Sequence, residues 1–244
     1  VNGKERTDEL GIGSMRLIQD TTAFCFGVDA VLLADFAAPK KGDIVCDMGC
    51  ASGIIPVLLA AKSEAAHITG IEIQRAQAEL FERNIALNSL EGRVSSVCGD
   101  LKDAPDMLGR ASFDLVTCNP PYKENGGGLE SVRESLRIAR HEVMCTLEDV
   151  ITAAAQLVRP GGRFAMIHRP ERVCDIMCLM RQKGLEPKRM RFVHPKTDAG
   201  PVMVLVEGRR GSRPKLTVEK PLVIYDGKGG YTAEIMRIYE RDGE

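Results

Sequence analysis

No apolar run in the 244-residue sequence is long enough to cross a bilayer. The longest, residues 51–61, has eleven residues broken by Ser52, Gly53 and Pro56, where a spanning helix needs about 20. No basic segment leading into an apolar stretch opens the chain, so no secretory signal is expected and the protein reads as cytoplasmic. The first residue is Val1 rather than Met, which points to a few residues missing ahead of it. There is no CxxC pair. The nearest approach, Cys174 and Cys178, has the i,i+4 spacing of a helix rather than that of a zinc knuckle, and no metal is expected. Eight cysteines are present, but a chain of this length needs no disulfides, and Cys46, Cys98 and Cys118 lie inside apolar runs as small buried thiols do. Internal repeats, low-complexity tracts and interdomain linkers are also missing. Neither sign of charge dominates: 33 Lys and Arg stand against 34 Asp and Glu, a net charge of −1 that taken whole disfavours a polyanionic partner.

What is present is globular: 44% hydrophobic and 27% charged residues exclude a disordered or fibrous chain. From residue 43 onward, short β-rich runs alternate with helix-compatible stretches. The pattern predicts strands at 43–47, 67–73, 94–98, 113–118, 163–168, 190–194 and 202–207. It predicts helices at 54–63, 75–88, 147–158 (stopped by Pro160-Gly161-Gly162) and 171–183 (ended by Gly184). Such alternation means βαβ units and a mostly parallel sheet with helices on both faces. Only seven residues separate the last two strands, too few for a helical crossover, so one strand there is antiparallel. Ahead of the first strand, 29–38 reads as an apolar helix, with 15–19 and 23–26 forming a hairpin before it. After the last strand, 215–225 is extended and 233–239 helical. The prediction is one α/β domain over 1–244: a hairpin and helix in 1–38, a core in 39–208 and an extension in 209–244.

The first predicted strand runs through Asp47-Met48-Gly49-Cys50-Ala51-Ser52-Gly53 into a helix. Glycines at such a turn let a ligand approach the backbone, and the helix start presents free amides. Asp47 argues against a pyrophosphate, which it would repel, and for a cationic, phosphate-free ligand such as S-adenosylmethionine. Glu72 closes the next strand, where a carboxylate binds ribose hydroxyls. Asp100 closes the third, placed to accept an adenine amino group. Acids at three successive strand ends are a cofactor signature that one acid alone is not.

The fourth strand ends in Asn119-Pro120-Pro121-Tyr122. Proline is excluded from a central strand, so the chain leaves the sheet here at its carboxyl edge, and the paired prolines hold an extended turn. The Asn119 side-chain oxygen and the Pro120 carbonyl then converge as acceptors, with Tyr122 as a ring to stack on a flat group. Two acceptors suit an NH₂ on a planar system: adenine N6, guanine N2, cytosine N4 or a carboxamide. The lone pair of such a nitrogen is delocalised. Holding both N–H groups favours pyramidalisation and aims the lone pair, so catalysis needs positioning more than a strong base.

Together these motifs resemble those of class I S-adenosylmethionine-dependent N-methyltransferases. Within that group the chain is most similar to the bacterial tRNA1(Val) (adenine-37-N6)-methyltransferase family. The further matches are Ile18-Gln19, Phe24-Cys25-Phe26-Gly27-Val28-Asp29-Ala30-Val31-Leu32-Leu33, Gly53-Ile54-Ile55-Pro56-Val57-Leu58-Leu59, Ala139-Arg140-His141-Glu142 and Val193-His194-Pro195-Lys196, within residues 10–210. The resemblance implies a Rossmann-like sheet of seven strands, one antiparallel, and methyl transfer to adenine N6 in a tRNA anticodon loop, with base flipping. It implies a cofactor site of Asp47, Gly49, Ala51, Gly53, Glu72, Ile73, Asp100, Leu101 and Asn119, and a catalytic turn of Asn119, Pro120, Pro121 and Tyr122. One departure bears on cofactor affinity: Ala51 replaces the usual second glycine, a cost if φ is positive there. Three other readings compete. They are a protein glutamine N5-methyltransferase, an rRNA guanine-N2 methyltransferase, and a non-catalytic cofactor-binding RNA chaperone. The helical or duplicated N-terminal domains usual in the first two have no counterpart here, and an intact Asn119 and Tyr122 argue against the third.

The charge is unevenly spread. Residues 159–220 hold fifteen Lys and Arg against six Asp and Glu, and the remainder is correspondingly acidic. Lys188, Arg189, Arg191 and Lys196 fall in that basic part. Arg133, Arg137 and Arg140 have spacings that share one helix face. These seven are candidate RNA phosphate contacts. His168 and His194, on strand ends, are further candidates, and Gly126-Gly127-Gly128 reads as a lid hinge.

Overall fold

The computed structural model describes residues 5–21, 27–120 and 145–239. Its strands are β1 (Glu5–Glu9), β2 (Arg16–Asp20), β3 (Ile44–Met48), β4 (His67–Glu72), β5 (Val94–Cys98), β6 (Phe113–Cys118), β7 (Val158–His168), β8 (Leu185–His194), β9 (Met203–Arg210), β10 (Thr217–Val218) and β11 (Leu222–Val223). Its helices are α1 (Val28–Ala37), α2 (Ile54–Lys62), α3 (Arg75–Leu87), α4 (Ala104–Leu108), α5 (Leu147–Leu157), α6 (Val173–Gln182) and α7 (Ala233–Ile238).

The main sheet runs β10-β8-β9-β7-β6-β3-β4-β5, with β11 also on β8. Its seven long strands are those expected, and β9 alone among them is antiparallel, as the short connection requires. The expected total of seven needs correcting. Two two-residue strands from the C-terminal extension add in parallel to β8, making nine among the described residues. Two strands also start earlier than the pattern predicts. Pairing of β7 begins at Val158↔Phe113 and resumes at Arg163↔Leu115, so Arg159-Pro160-Gly161-Gly162 bulges out of the strand instead of preceding it. Strand β8 begins directly after Gly184, and its register shifts between Pro187 and Arg189, next to a proline that lacks an N–H for the ladder.

The N-terminal hairpin also needs correcting. Strand β2 pairs antiparallel with the upstream β1, Glu5↔Asp20 to Glu9↔Arg16. Residues 23–26, the partner expected from sequence, lie outside the described residues. The five residues of β1 are Glu, Arg, Thr, Asp and Glu, with no apolar alternation to betray a strand.

Two apolar cores lie on opposite faces of the sheet. One joins α1, α2, α3 and α7 to the sheet through Leu33, Leu58, Phe81 and Ile235. The other joins α4, α5 and α6 through Ala104, Ile151 and Met180. Helix α1 is buried at eight of its ten residues, consistent with a helix covered by sheet, α2 and α7. Among the described residues no helix is long and apolar enough to cross a membrane.

Candidate active site

The chain runs outward from β3 to β4 and β5, then returns to place β6 on the other side of β3. That reversal opens a crevice at the carboxyl ends of β3 and β6, where open α/β sheets bind ligands. Register sets the residues around it. Met48 is level with Ile71 and Cys118, and Glu72 with Cys98, so Gly49, Glu72, Gly99 and Asn119 emerge side by side.

The loop after β3 depends on left-handed backbone: φ is +70° at Gly49, +47° at Ala51 and +88° at Gly53. At Gly53 a side chain is excluded twice over, because a Cβ would also lie 1.8 Å from the Phe81 ring. At Gly49 nothing lies within 4 Å of a Cβ position, so the backbone faces open space. Pro56 is tolerated because it sits in the first turn of α2. Ala51 takes the positive φ that the sequence makes costly, and its amide donates to Glu72 Oε2 at 3.0 Å. Glu72, 5% exposed, also accepts from the Gln74 amide at 2.8 Å through Oε1. Ile73 beside it is 38% exposed. Asp100 accepts from the Lys102 amide at 2.9 Å and pairs with its ammonium at 3.2 Å. Leu101 packs half-buried on the second core.

Asp47 is fully buried. Thr117, on β6, donates to its Oδ1 at 2.6 Å, and Oδ2 has no hydrogen-bond partner among the described residues. Burial pushes its pKa up to about 8; the Thr117 bond works against this and the nearby Glu72 charge adds to it. At neutral pH, with nothing cationic beside it, this carboxyl is largely protonated.

Across the crevice, Asn119 follows β6. Its Nδ2 donates to Asp29 Oδ2 at 2.9 Å, and its Oδ1 is buried without a partner among the described residues. Pro120 is buried beside it. Pro121 and Tyr122 lie outside the described residues, as do Arg133, Arg137, Arg140 and the three glycines read as a hinge. The sequence reading missed Asp29 and Thr117 as site residues. Each is a lone polar residue in an apolar run, buried at the start of α1 and near the end of β6, and that was the available signal.

The basic candidates of β8 do not form one free surface. Arg189 pairs with Glu207 at 3.2 Å and Glu219 at 3.3 Å, donates to the Phe36 carbonyl, and lies 3.9 Å over the Phe36 ring. Arg191 holds Glu234 at 2.8 Å and the Lys220 carbonyl at 2.9 Å. Lys188 donates to the Arg213 carbonyl at 3.0 Å. Lys196, exposed just beyond the carboxyl end of β8, makes no ion pair among the described residues. His168 is 6% exposed and accepts from the Arg169 amide, so it is not presented to a phosphate; His194 bonds the Ala199 carbonyl at 2.7 Å.

The model of the methyltransferase small domain family matches residues 25–182. The chain is 28% identical over 242 residues to a tRNA1(Val) (adenine(37)-N6)-methyltransferase of Porphyromonas gingivalis, covering 96% of this chain and 94% of that one. It is 28% identical over 212 residues to a protein of the same name from Vibrio cholerae, covering 86% and 85%. The crystal structure of a predicted O-methyltransferase from Agrobacterium tumefaciens matches with a TM-score of 0.70 at 25% identity, over 88% of this chain and 98% of that one.

Proposed function

This chain belongs to the methyltransferase small domain family, and from that premise we propose that it methylates the exocyclic N6 amine of an adenine in RNA with S-adenosylmethionine. Adenine 37 of a tRNA anticodon loop is the acceptor to which the relatives' name points. The observation that carries the reading is Asn119: a buried amide oxygen with no partner among the described residues, across one crevice from the glycine loop.

The residues around the crevice suit that cofactor. Asp47 Oδ2, buried without a partner among the described residues, becomes an acceptor for an ammonium group once the carboxyl gives up its proton, and Gly49 leaves open space against its backbone. Each Glu72 oxygen accepts one amide and keeps a lone pair for a ribose hydroxyl. Asp100 offers an acceptor to the adenine amine, and Ile73 and Leu101 offer apolar flanks to its ring. The bound cofactor supplies an electrophilic methyl group on a sulfonium. Asn119 Oδ1 and the Pro120 carbonyl accept the two N–H groups of the target amine, draw its lone pair out of conjugation and aim it. The sequence assigns to Tyr122 the stacking on the base. The proton leaves late, so positioned acceptors suffice without a strong base. RNA reaches the site past Lys196, and the sequence offers Arg133, Arg137 and Arg140 as further phosphate contacts.

Bulk tRNA incubated with the protein and methyl-labelled S-adenosylmethionine, then digested to nucleosides, is expected to yield labelled N6-methyladenosine. Label in N2-methylguanosine or in protein glutamine instead would overturn the choice of acceptor. Cofactor binding without transfer to any acceptor would overturn the enzymatic reading.

A further inference from the structure

A primary amide is nearly symmetric in shape, and its two faces do opposite chemistry. With Oδ1 toward the target amine, Asn119 accepts a proton; flipped, it presents two N–H donors to a group that is itself a donor. An unrestrained Asn119 would sample both states, and only one is productive.

Asp29 removes that ambiguity. Asp29 Oδ2 accepts from Asn119 Nδ2 at 2.9 Å, so it pairs with the NH₂ side of the amide and not with its oxygen. The amide oxygen is thereby turned the other way, where it lies buried and unpartnered among the described residues. A buried acceptor left open costs free energy that a substrate N–H recovers. The placement of Asp29 is consistent with this role. It is 8% exposed in a helix whose other buried positions are apolar, so solvation does not explain it. It lies in the first turn of α1, where free amides and the helix dipole favour a negative charge. A side chain at the preceding Gly27 would put a Cβ 2.8 Å from Asp29 Oδ1, so glycine there leaves room for the carboxylate.

We propose that Asp29 is a positioning residue: its carboxylate locks the Asn119 amide with the carbonyl oxygen toward the acceptor amine. This rests on Asn119 being the amine acceptor, and it holds for any planar NH₂ substrate.

Single-turnover methyl transfer and cofactor affinity of the full chain test it in four variants. Asp29→Asn pairs with either orientation of Asn119 and is expected to slow transfer severalfold, with cofactor Kd changed less than about twofold. Asp29→Ala removes the lock and is expected to slow transfer about 10- to 100-fold. Asn119→Asp sets two carboxyls against each other and is expected to lose nearly all transfer. The exchange Asp29→Asn with Asn119→Asp restores a donor–acceptor pair and leaves one carboxylate oxygen facing the amine. It is expected to regain at least about tenfold over Asn119→Asp alone. A purely structural role at the start of α1 predicts no such rescue. Wild-type rates in both Asp29 variants, or an exchange variant that melts like the wild type yet is no faster than Asn119→Asp, would overturn the proposal. A wild type active on an amine other than adenine N6 overturns the proposed acceptor alone, and the same four variants are then read on that amine. A wild type without any transfer overturns both.

Discussion

At the scale of single residues, the crevice at the carboxyl ends of β3 and β6 holds two departures from low energy. Asp47 carries a carboxyl where burial raises its pKa to about 8, far above the ordinary 3.8. Between those values the folded chain holds a proton that the unfolded chain has released. The stability from that proton is complete below pH 4 and is lost as pH rises through 8. A cationic ligand reverses the balance by favouring the ionised form. Cofactor affinity is therefore expected to tighten between pH 5.5 and 7 by up to about tenfold per pH unit, with proton release visible as a buffer-dependent binding enthalpy. Asp47→Asn should flatten that profile and weaken binding. It should also melt progressively above the wild type, without ligand, as pH goes from 5 to 8. Ala51 is the second departure. Its φ of +47° costs a non-glycine residue about 1–2 kcal/mol, and glycine returns roughly half of that through its freer unfolded state. Ala51→Gly is thus expected to stabilise by about 1 kcal/mol, raising Tm by about 3 °C in a scanning calorimeter.

At the scale of elements, the unexpected partner is a helix that imitates a strand. Asn84 on α3 and Asn88, the residue that caps it one turn later, face alternate residues of β2. Asn84 accepts from the Ile18 amide at 2.7 Å and donates to its carbonyl at 3.0 Å; Asn88 does the same for Arg16 at 2.9 and 2.8 Å. With β1 on one edge and these amides on the other, a two-stranded ribbon that would be marginal alone is held to the core. Asn84 is fully buried and also donates to the Ser52 carbonyl at 2.9 Å, which ties the ribbon to the glycine loop after β3. Asn84→Ala leaves three buried groups unpaired and is expected to cost about 3 kcal/mol, with the Ile18 amide losing hydrogen-exchange protection. Asn88→Ala, at the exposed end, should cost less than about 1 kcal/mol. The same elements show what was legible in the sequence. Strands β3 to β6 have strong apolar runs and the turn chemistry that ends them, so their order and the acids at their ends could be read directly. Ribbon β1–β2 is polar along its first strand, and its outer edge is satisfied by side chains from 66 to 72 positions away. The clasp of Asp29 on Asn119 spans 90 positions. Periodicity and local spacing carry no trace of pairings that only the closed fold brings together.

At the scale of the whole molecule, net charge is a sum that conceals geometry, and so is the charge of a sequence segment. The cations of the basic stretch 159–220 are mostly engaged by carboxylates and carbonyls of the chain itself. Arg163 and Arg189 share Glu207, and Arg163 also holds Asp43 and the Ala37 and Ala38 carbonyls at the start of the core. Arg181 takes Glu186, Lys183 takes Glu148, and Arg191 takes Glu234. These are pairings that hold the β8–β9 end together; such cations offer little to a phosphate backbone without first giving up a partner. Strand direction sorts those that remain. Strand β8 points its end toward the crevice, so Lys196, just beyond it, lies on the side of Asn119. Strand β9 runs the other way and ends level with the start of β8, so Arg213 and Lys215 lie toward the opposite edge of the sheet. If adenine is methylated in the crevice, RNA crosses the first edge and not the second. Lys196→Glu is accordingly expected to weaken tRNA binding at low salt by about three- to tenfold and to lower the slope of log affinity against log salt by about one. Arg213→Glu and Lys215→Glu, each an equal change in total charge, should leave both quantities near wild type in the same filter-binding titration. Equal losses from all three would mean that RNA responds to the sum, as the raw composition suggested. A loss confined to Lys196 would mean that it responds to the edge at which the strands end.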